Sequence, residues 1–540
     1  MYCHSMKNDV LFNYTHNKGL LMLLHHFMEF FGRETANNPC IEMGATKLDY
    51  GAANAHCNRM AHAFGSKGLG KGDRLAWIGK NSIDFGLLFF AGSKVGVVPT
   101  PLNYRLAPPE WAYILNDCTA RVLVAEEEFC AGIDKVRDQL ENIDHFICLD
   151  GDVEGWENYE NWLKGQLEHN PEHDIKPDDE LYHMYTSGTT GLPKGAVLTQ
   201  YAIETNTRVI SLSFDMRISD TRTVIPLPFY HAAAGITIKC MVCAGGSIIV
   251  HREFDPVAVV DAIENEGVTN VTLVPAMIQA CLVAVPDIGQ RKFPLLRAMC
   301  YGASPIAEET LKQAMRVFGC KFLQVFGMTE TTACATQLTH SAHQRAINGE
   351  PHLLLSCGRA VAGTQVRIVD ENLQEVAVGT VGEIAVKGAQ IMLQYWNLPE
   401  ATAKSLVDGW LYTGDAARMD DEGFIYIQDR IKDMIVSGGE NIYPKEVENA
   451  LFDHPDIVDA AVIGIPDEKY GESILAFVQA RDGGALDKEA LIAFCRERLA
   501  GYKVPRAFEF IELVPRNASG KVLKKDLREP YWVGVERRVG

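Results

Sequence analysis

From residue 40 to about 330, short runs of continuous apolar residues alternate with longer stretches in which apolar positions recur at helical spacing. The runs are 74–78, 121–125, 146–149, 224–227, 247–250, 271–274, 296–300 and 321–325. A strand covered on both faces has no polar side to show, so continuous apolar character predicts buried, parallel strands. Asp49 is placed to cap a helix over 50–64, with Ala52, Ala55, Ala63 and Phe64 among its apolar positions. GLGKGDR (68–74) then marks the turn back into a strand. Such alternation predicts an α/β architecture of parallel sheets covered by helices.

The texture changes after about residue 355. Segments 358–369, 382–387 and 423–428 predict short strands joined by tight turns, an antiparallel region that ends at Asp429-Arg430-Ile431-Lys432-Asp433. Helix 444–452, strands 459–464 and 474–479 and helix 488–499 follow as an α+β unit of about 110 residues, a common domain size. The expected organisation is a large N-terminal domain, 1–430, with two parallel-type helix-covered sheets to about 355 and a β subdomain over 356–430. A small mobile α+β C-terminal domain, 431–540, completes it. At 540 residues the chain is too long for one core.

Composition narrows the class. A 47% hydrophobic and 22% charged chain is ordinary for a soluble globular protein. A net charge of −19 argues against general nucleic-acid binding and requires local cations wherever a polyanion is bound. The 14 cysteines are scattered singly, which points to a reducing, cytoplasmic setting. Cys240 and Cys243 lie close together in an apolar run, where buried thiols are expected rather than a metal or redox pair. No run reaches the ~20 apolar residues of a spanning helix. GLLMLLHHFMEFF (19–31) carries two His and a Glu and has no basic flank or cleavage site, so it is read as an amphipathic helix packed on the body. Loose contact with a membrane surface is the lesser alternative.

Candidate chemistry begins at Tyr185 to Gly195, YTSGTTGLPKG, directly after a strand-like run. Gly and Pro free this backbone from regular structure, hydroxyls and amides can face an anion, and Lys194 adds a mobile positive charge. The spacing is not GxxxxGK[ST], since Pro193 stands where the second Gly would fall, and it is not GxGxxG. Six further segments stand out: PFYH (228–231) before Ala-Ala-Ala-Gly, YGASP (301–305), QVFGMTE (324–330), YTGD (412–415), DMIVSGGENIYPKE (433–446) and PRNASGK (515–521). Taken singly, GASP and TGD are ordinary turns, Thr-Glu an ordinary helix start and His231 an ordinary structural histidine.

Together and in this order, these segments resemble the adenylate-forming acyl-CoA synthetase superfamily, from about residue 45 onward. The resemblance implies that Thr186, Ser187, Gly188, Thr189, Thr190, Gly191 and Lys194 bind the phosphates of ATP. It implies that Gly302, Ala303 and Ser304 line the adenine, beside Phe326, Gly327 and Met328; Phe326 stands where Tyr is commoner and so loses a hydroxyl. Thr329 is then a phosphate contact, Glu330 a ligand of Mg²⁺ with Thr186 as its helper, and Asp415 and Arg430 the ribose contacts. His231 orients the acid, and Lys521 is the catalytic lysine bridging carboxylate and α-phosphate. Lys432 is the hinge on which the C-terminal domain turns, bringing Gly438, Gly439 and Glu440 to a pantetheine channel.

The implied substrates are a carboxylic acid, ATP and coenzyme A, with Mg²⁺; a homodimer stays open. The implied reaction is an ATP-dependent acid:CoA ligation, and DRIKDMIVSGGENIYP most resembles ligases of medium- or long-chain fatty acids. Aryl and other acids, a stand-alone adenylation enzyme serving a carrier protein and a luciferase-like monooxygenase are the alternatives. Tyr230-His231, where amino-acid-activating domains carry an Asp, weighs against an amino-acid substrate.

Overall fold

The computed structural model describes residues 22–533 except 173, 187–192, 305, 307, 431–432, 438–439, 468, 482–485 and 517–521. Asp49 caps the helix Tyr50–Ser66 as its position predicts, its carboxylate accepting from Ala52 N–H at 2.8 Å. The strand Arg74–Ile78 then lies inside an all-parallel sheet ordered Val98–Leu102, Arg74–Ile78, Val122–Ala125, His145–Cys148, Glu157–Asn158. The apolar-run criterion misses Val98–Leu102 because Pro99 and Pro101 interrupt it. Proline is tolerated there because the strand forms the sheet edge, with one row of backbone groups unpaired.

Asn270–Leu273, Ala298–Gly302 and Lys321–Phe326 form a second parallel set, extended antiparallel by Thr336–Leu338 and Arg359–Ala360. A third set, which the sequence reading did not separate, runs Arg222–Ile225, Ser247–Val250, Pro39–Met43 in parallel, with Thr46–Asp49 antiparallel on its edge. The two parallel-type sheets expected are therefore three. The predicted strands return displaced by a few residues at most.

Beyond residue 360 the expected antiparallel sheet is present: Gln365–Val369, Gly382–Lys387, Trp410–Met419 and Ile425–Arg430. The C-terminal unit has its own core, in which Ile435, Val447, Leu451, Val462, Ile474 and Leu491 are buried. Its longest hairpin pairs Ile457–Asp467 with Gly471–Ala480.

The helix Leu24–Glu34 turns Leu24, Phe27, Met28 and Phe31 into the core of the N-terminal domain. Glu29 fastens it through a 2.7 Å ion pair with Lys94, itself buried. The greasy face read from 19–31 is thus covered by protein along its described turns. No described helix is long and apolar enough to cross a membrane. Cys240 is buried in the helix Ala232–Cys243, its thiol donating to the Thr207 carbonyl at 3.5 Å, and no described cluster of residues is arranged to hold a metal through such side chains alone.

Lys239, on the same helix, is fully buried. Its Nζ donates to the Gly235 carbonyl at 3.0 Å and lies 3.8 Å and 4.9 Å from the ring centroids of Phe89 and Tyr182. Burial holds its amine down at about 7, against 10.5 ordinarily. Between those values the unfolded chain binds the extra proton, so stability rises with pH across the window and is lowest below pH 7. Lys239→Met is therefore expected to stabilise the chain by about 1–4 kcal/mol below pH 7, the usual gain when a buried charge gives way to a hydrophobe. The gain shrinks towards pH 10. Unfolding midpoints at pH 6 and pH 9.5 check this; an equal shift at both would contradict it.

Candidate active site

The strand Glu180–Thr186 pairs antiparallel with Lys194–Thr199, placing Tyr185 opposite Gly195 and Thr186 opposite Lys194. The Thr186 hydroxyl donates to the Lys194 carbonyl at 3.4 Å. The expected phosphate loop therefore joins two strands of a hairpin. It does not lead into a helix, and the helix Gln200–Ser213 begins only after the second strand. The described stems therefore offer the Thr186 hydroxyl and Lys194, and no helix N-terminus, at this place. Ser187, Gly188, Thr189, Thr190 and Gly191 lie outside the described residues.

The YGASP and QVFGMTE segments come together because their strands are parallel neighbours: Gly302 pairs with Val325 at the carboxyl ends of Ala298–Gly302 and Lys321–Phe326. That rim is where open α/β sheets bind ligands. A Cβ on Gly302 would lie 2.4 Å from the Val325 carbonyl oxygen, so only glycine lets the strands pass. Ala303 follows in the left-handed region at φ +68°, exposed, with Ser304 partly so. On the neighbouring strand, Phe326 is partly buried against the apolar cluster that includes Ala335, Cys357 and Ile384. Gly327 is as crowded as Gly302, with the Ala333 carbonyl oxygen 2.4 Å from an added Cβ.

Met328 leads into a single helical turn, Thr329–Thr331, closed by Met328 N–H donating to the Thr331 hydroxyl at 2.9 Å. Asn206 braces the turn from the helix Gln200–Ser213, donating to the Thr332 carbonyl at 2.6 Å. The Thr329 hydroxyl reaches the sulfur of Met184, two residues before Thr186, at 3.4 Å. Glu330 is buried and accepts a 2.7 Å hydrogen bond from the Tyr395 hydroxyl. The Lys194 ammonium lies 5.2 Å from the centroid of the same tyrosine ring. Tyr395 thus joins the lysine of the glycine-rich segment to the buried carboxylate. Sequence reading missed it, because QYW carries no recognisable motif. Its position is set by backbone pairing of Gln394–Tyr395 with Val197 and Ala196.

TGD is no turn. It lies inside the strand Trp410–Met419, where Gly414 has φ +73° and donates its N–H to Glu383 at 2.7 Å. Asp415 is buried and stands opposite Arg430 in the antiparallel ladder, which brings the two expected ribose contacts to one place on the backbone. Burial pushes the Glu383 carboxyl above the usual range; the Gly414 bond opposes this and the nearby Asp415 charge adds to it.

His231 occupies the N-cap position of the helix Ala232–Cys243, partly buried, its ring 4.4 Å from that of Tyr230. Asn81, unremarkable in sequence, fixes this segment. It is buried, accepts from Phe229 N–H at 2.8 Å and donates to the Leu227 and His251 carbonyls at 2.9 and 3.0 Å.

In the C-terminal domain Lys432, Gly438, Gly439 and Lys521 lie outside the described residues. Glu440 opens the short strand Glu440–Ile442 and is exposed. Asp433 pairs with Arg528. Arg516 bridges antiparallel to Val522 and holds Asp459 through both carboxylate oxygens. Lys524 and Glu448 form an ion pair at 2.9 Å, both side chains largely buried.

Residues 29–396 match the AMP-binding enzyme family and residues 446–521 match the AMP-binding enzyme C-terminal domain. A fatty acid–[acyl-carrier-protein] ligase of Streptomyces coeruleorubidus is 36% identical over 524 residues, 96% of this chain and 98% of that protein. An indoleacetate–CoA ligase of Aromatoleum aromaticum is 36% identical over 485 residues, covering 89% of this chain and 93% of its own. The solved structure of ATP-bound MatB from Rhodopseudomonas palustris shares the fold with a TM-score of 0.86 at 28% identity, over 94% of this chain and 99% of that one. Matched along both domains and over a third identical to a relative across nearly its whole length, the chain belongs to the AMP-binding enzyme family.

Proposed function

We propose that this chain is an ATP-dependent carboxylic acid:CoA ligase acting in two steps on a medium- or long-chain fatty acid. The observation that carries the reading is the junction of Lys194, Tyr395 and Glu330 beside Thr186 and Thr329, at the carboxyl rim of two parallel strands. A carboxylate attacking a polyphosphate brings anions together, and such a rim offers cations and hydroxyls to offset the charge. In the first step a carboxylate oxygen of the acid attacks the α-phosphorus, and the bond to the β-phosphate breaks. Acyl-AMP and pyrophosphate result. In the second, the CoA thiol loses its proton, its sulfur attacks the acyl carbon, and AMP leaves.

Lys194 and Thr329 hold phosphate oxygens, and Lys521 bridges the reacting carboxylate and α-phosphate. Asp415 and Arg430 hold the ribose, and Gly302–Ser304 line the base. Mg²⁺ fits Glu330 and Thr186, a carboxylate and a hydroxyl being hard oxygen donors, and it supplies charge neutralisation on the triphosphate. His231 orients the acid over Ala232–Gly235. In this reading residues 431–540 turn as a unit about Lys432, withdrawing Lys521 and presenting Gly438–Gly439 and Glu440 to the pantetheine arm.

A second reading, an aryl or shorter acid, has its own support. The indoleacetate–CoA ligase is 36% identical to this chain, as is the fatty acid–[acyl-carrier-protein] ligase. Pyrophosphate release measured across acids of graded chain length and aromaticity separates the two. Highest kcat/KM on C8–C16 acids is expected. A maximum on aryl acids selects the second reading. Release without CoA turnover but with acylation of a carrier-protein thiol moves the acceptor from CoA to a carrier.

A further inference from the structure

The helix Pro108–Asp117 belongs to none of the motif segments, yet its last residue touches one stem of the glycine-rich hairpin directly and the other through Trp396. The Tyr185 hydroxyl donates to the Asp117 carboxylate at 2.5 Å. The Trp396 indole N–H donates to the Asp117 backbone carbonyl at 2.9 Å, and Trp396 N–H donates to the Gly195 carbonyl at 2.7 Å. Tyr185 and Gly195 face each other in the ladder, and the tyrosine ring fills the place a side chain on Gly195 would take, 2.9 Å from an added Cβ. The contacts close a loop: Asp117 to Tyr185, Tyr185 to Gly195, Gly195 to Trp396, Trp396 back to Asp117. The Arg74 guanidinium lies over the Trp396 ring, 4.5 Å from its centroid. The residues next to this loop are Thr186, Lys194 and Tyr395, and Tyr395 is the one that contacts both Lys194 and Glu330.

We propose that Asp117 is a positioning residue for adenylation. It touches no substrate; through Tyr185 and Trp396 it fixes where Lys194 stands relative to Glu330. The inference rests on the acid:CoA ligase reading. A carboxylate taken half out of water to hold one phenol is a costly way to make a contact that serves packing alone. The same carboxylate, 68 positions from Tyr185 in sequence, is economical if the spacing of a lysine and a buried glutamate depends on it.

Three variants test it: Asp117→Ala, Asp117→Asn, which keeps an oxygen acceptor, and Tyr185→Phe, which keeps the ring. Removing a hydrogen bond to a charged group typically costs about tenfold to a hundredfold. Asp117→Ala is expected to raise the Kd for ATP in equilibrium titration without acid, and the KM for ATP in pyrophosphate release, by about tenfold. Thiolysis of supplied acyl-AMP should stay within about twofold of wild type. Asp117→Asn should recover most of the loss, and Tyr185→Phe should shift Kd in the same direction by less.

Unchanged ATP affinity in Asp117→Ala, or equal loss of both half-reactions with a matching fall in unfolding midpoint, would overturn the inference. If Asp117→Ala does not fold, Tyr185→Phe decides alone: ATP affinity equal to wild type overturns it. Absence of pyrophosphate release from the wild type with every acid strikes the ligase reading instead, a result separate from any of these.

Discussion

Lys521→Ala is expected to lower acyl-adenylate formation by about 10²–10³-fold, the usual loss when one preorganised charge-stabilising group is removed from a transition state. Thiolysis of supplied acyl-AMP should remain within a few-fold of wild type. The asymmetry is the informative part. In adenylation, negative charge from the attacking carboxylate and the α-phosphate converges, and a cation placed between them acts where charge develops. In thiolysis the new charge sits on the carbonyl oxygen, and a lysine lying across the thiol's path has to be elsewhere. The sequence around it suits a polyanion: residues 501–540 carry nine Lys and Arg against five Asp and Glu, in a chain of net charge −19. The surroundings are also firmly anchored. Arg516 and Val522 bridge on either side, Arg516 is held by Asp459 and Lys524 by Glu448. Equal loss of both half-reactions would remove Lys521 from the assigned role.

Glu330→Gln is the second large effect. The substitution keeps size and shape and leaves an amide oxygen to accept from Tyr395, so the unfolding midpoint should move little. What disappears is a buried carboxylate at the proposed Mg²⁺ and phosphate site. Pyrophosphate release is expected to fall by about 10²-fold, and the Mg²⁺ concentration giving half-maximal rate to rise, because a neutral amide is a poorer donor to a hard cation. Tyr395→Phe should produce a smaller fall, about tenfold, since the carboxylate stays but loses the hydrogen bond that aims it. Wild-type dependence on Mg²⁺ in Glu330→Gln would contradict the assignment and leave Glu330 as a brace for Tyr395.

The fold was largely legible in the sequence where burial makes strands continuously apolar. Arg74–Ile78 and Ser247–Val250 appear where the pattern places them. It was illegible where one residue type serves two purposes. Val98–Leu102 contains two prolines and still pairs, because it lies at a sheet edge. Tyr412 to Asp415 reads as a turn but lies within a strand, since Gly414 absorbs the irregularity at φ +73° without leaving the sheet. The glycine-rich segment was legible as an anion binder from its residue types. Its setting in a hairpin was not, because the second strand begins at Lys194 and its neighbours give only a short apolar run.

At the site, residues within the motif segments could be found from sequence because glycine, hydroxyl and charge cluster there. Their partners could not. Asn81, Asp117, Asn206 and Tyr395 act by side-chain hydrogen bonds across 65 to 170 positions of chain, which no local pattern carries. The relation of Gly302 to Gly327 also emerges only in three dimensions, where both permit a close backbone approach at adjacent strand ends.

The most direct test of the central claim follows the oxygen atoms. With an acid labelled in both carboxylate oxygens by ¹⁸O, attack on the α-phosphorus leaves one labelled oxygen in AMP once the thiol takes the acyl group. Mass spectrometry after turnover with ATP and CoA is expected to find AMP carrying one ¹⁸O and pyrophosphate carrying none. Label in inorganic phosphate with release of ADP, or unlabelled AMP, would contradict an acyl-adenylate intermediate and with it the function proposed for this chain.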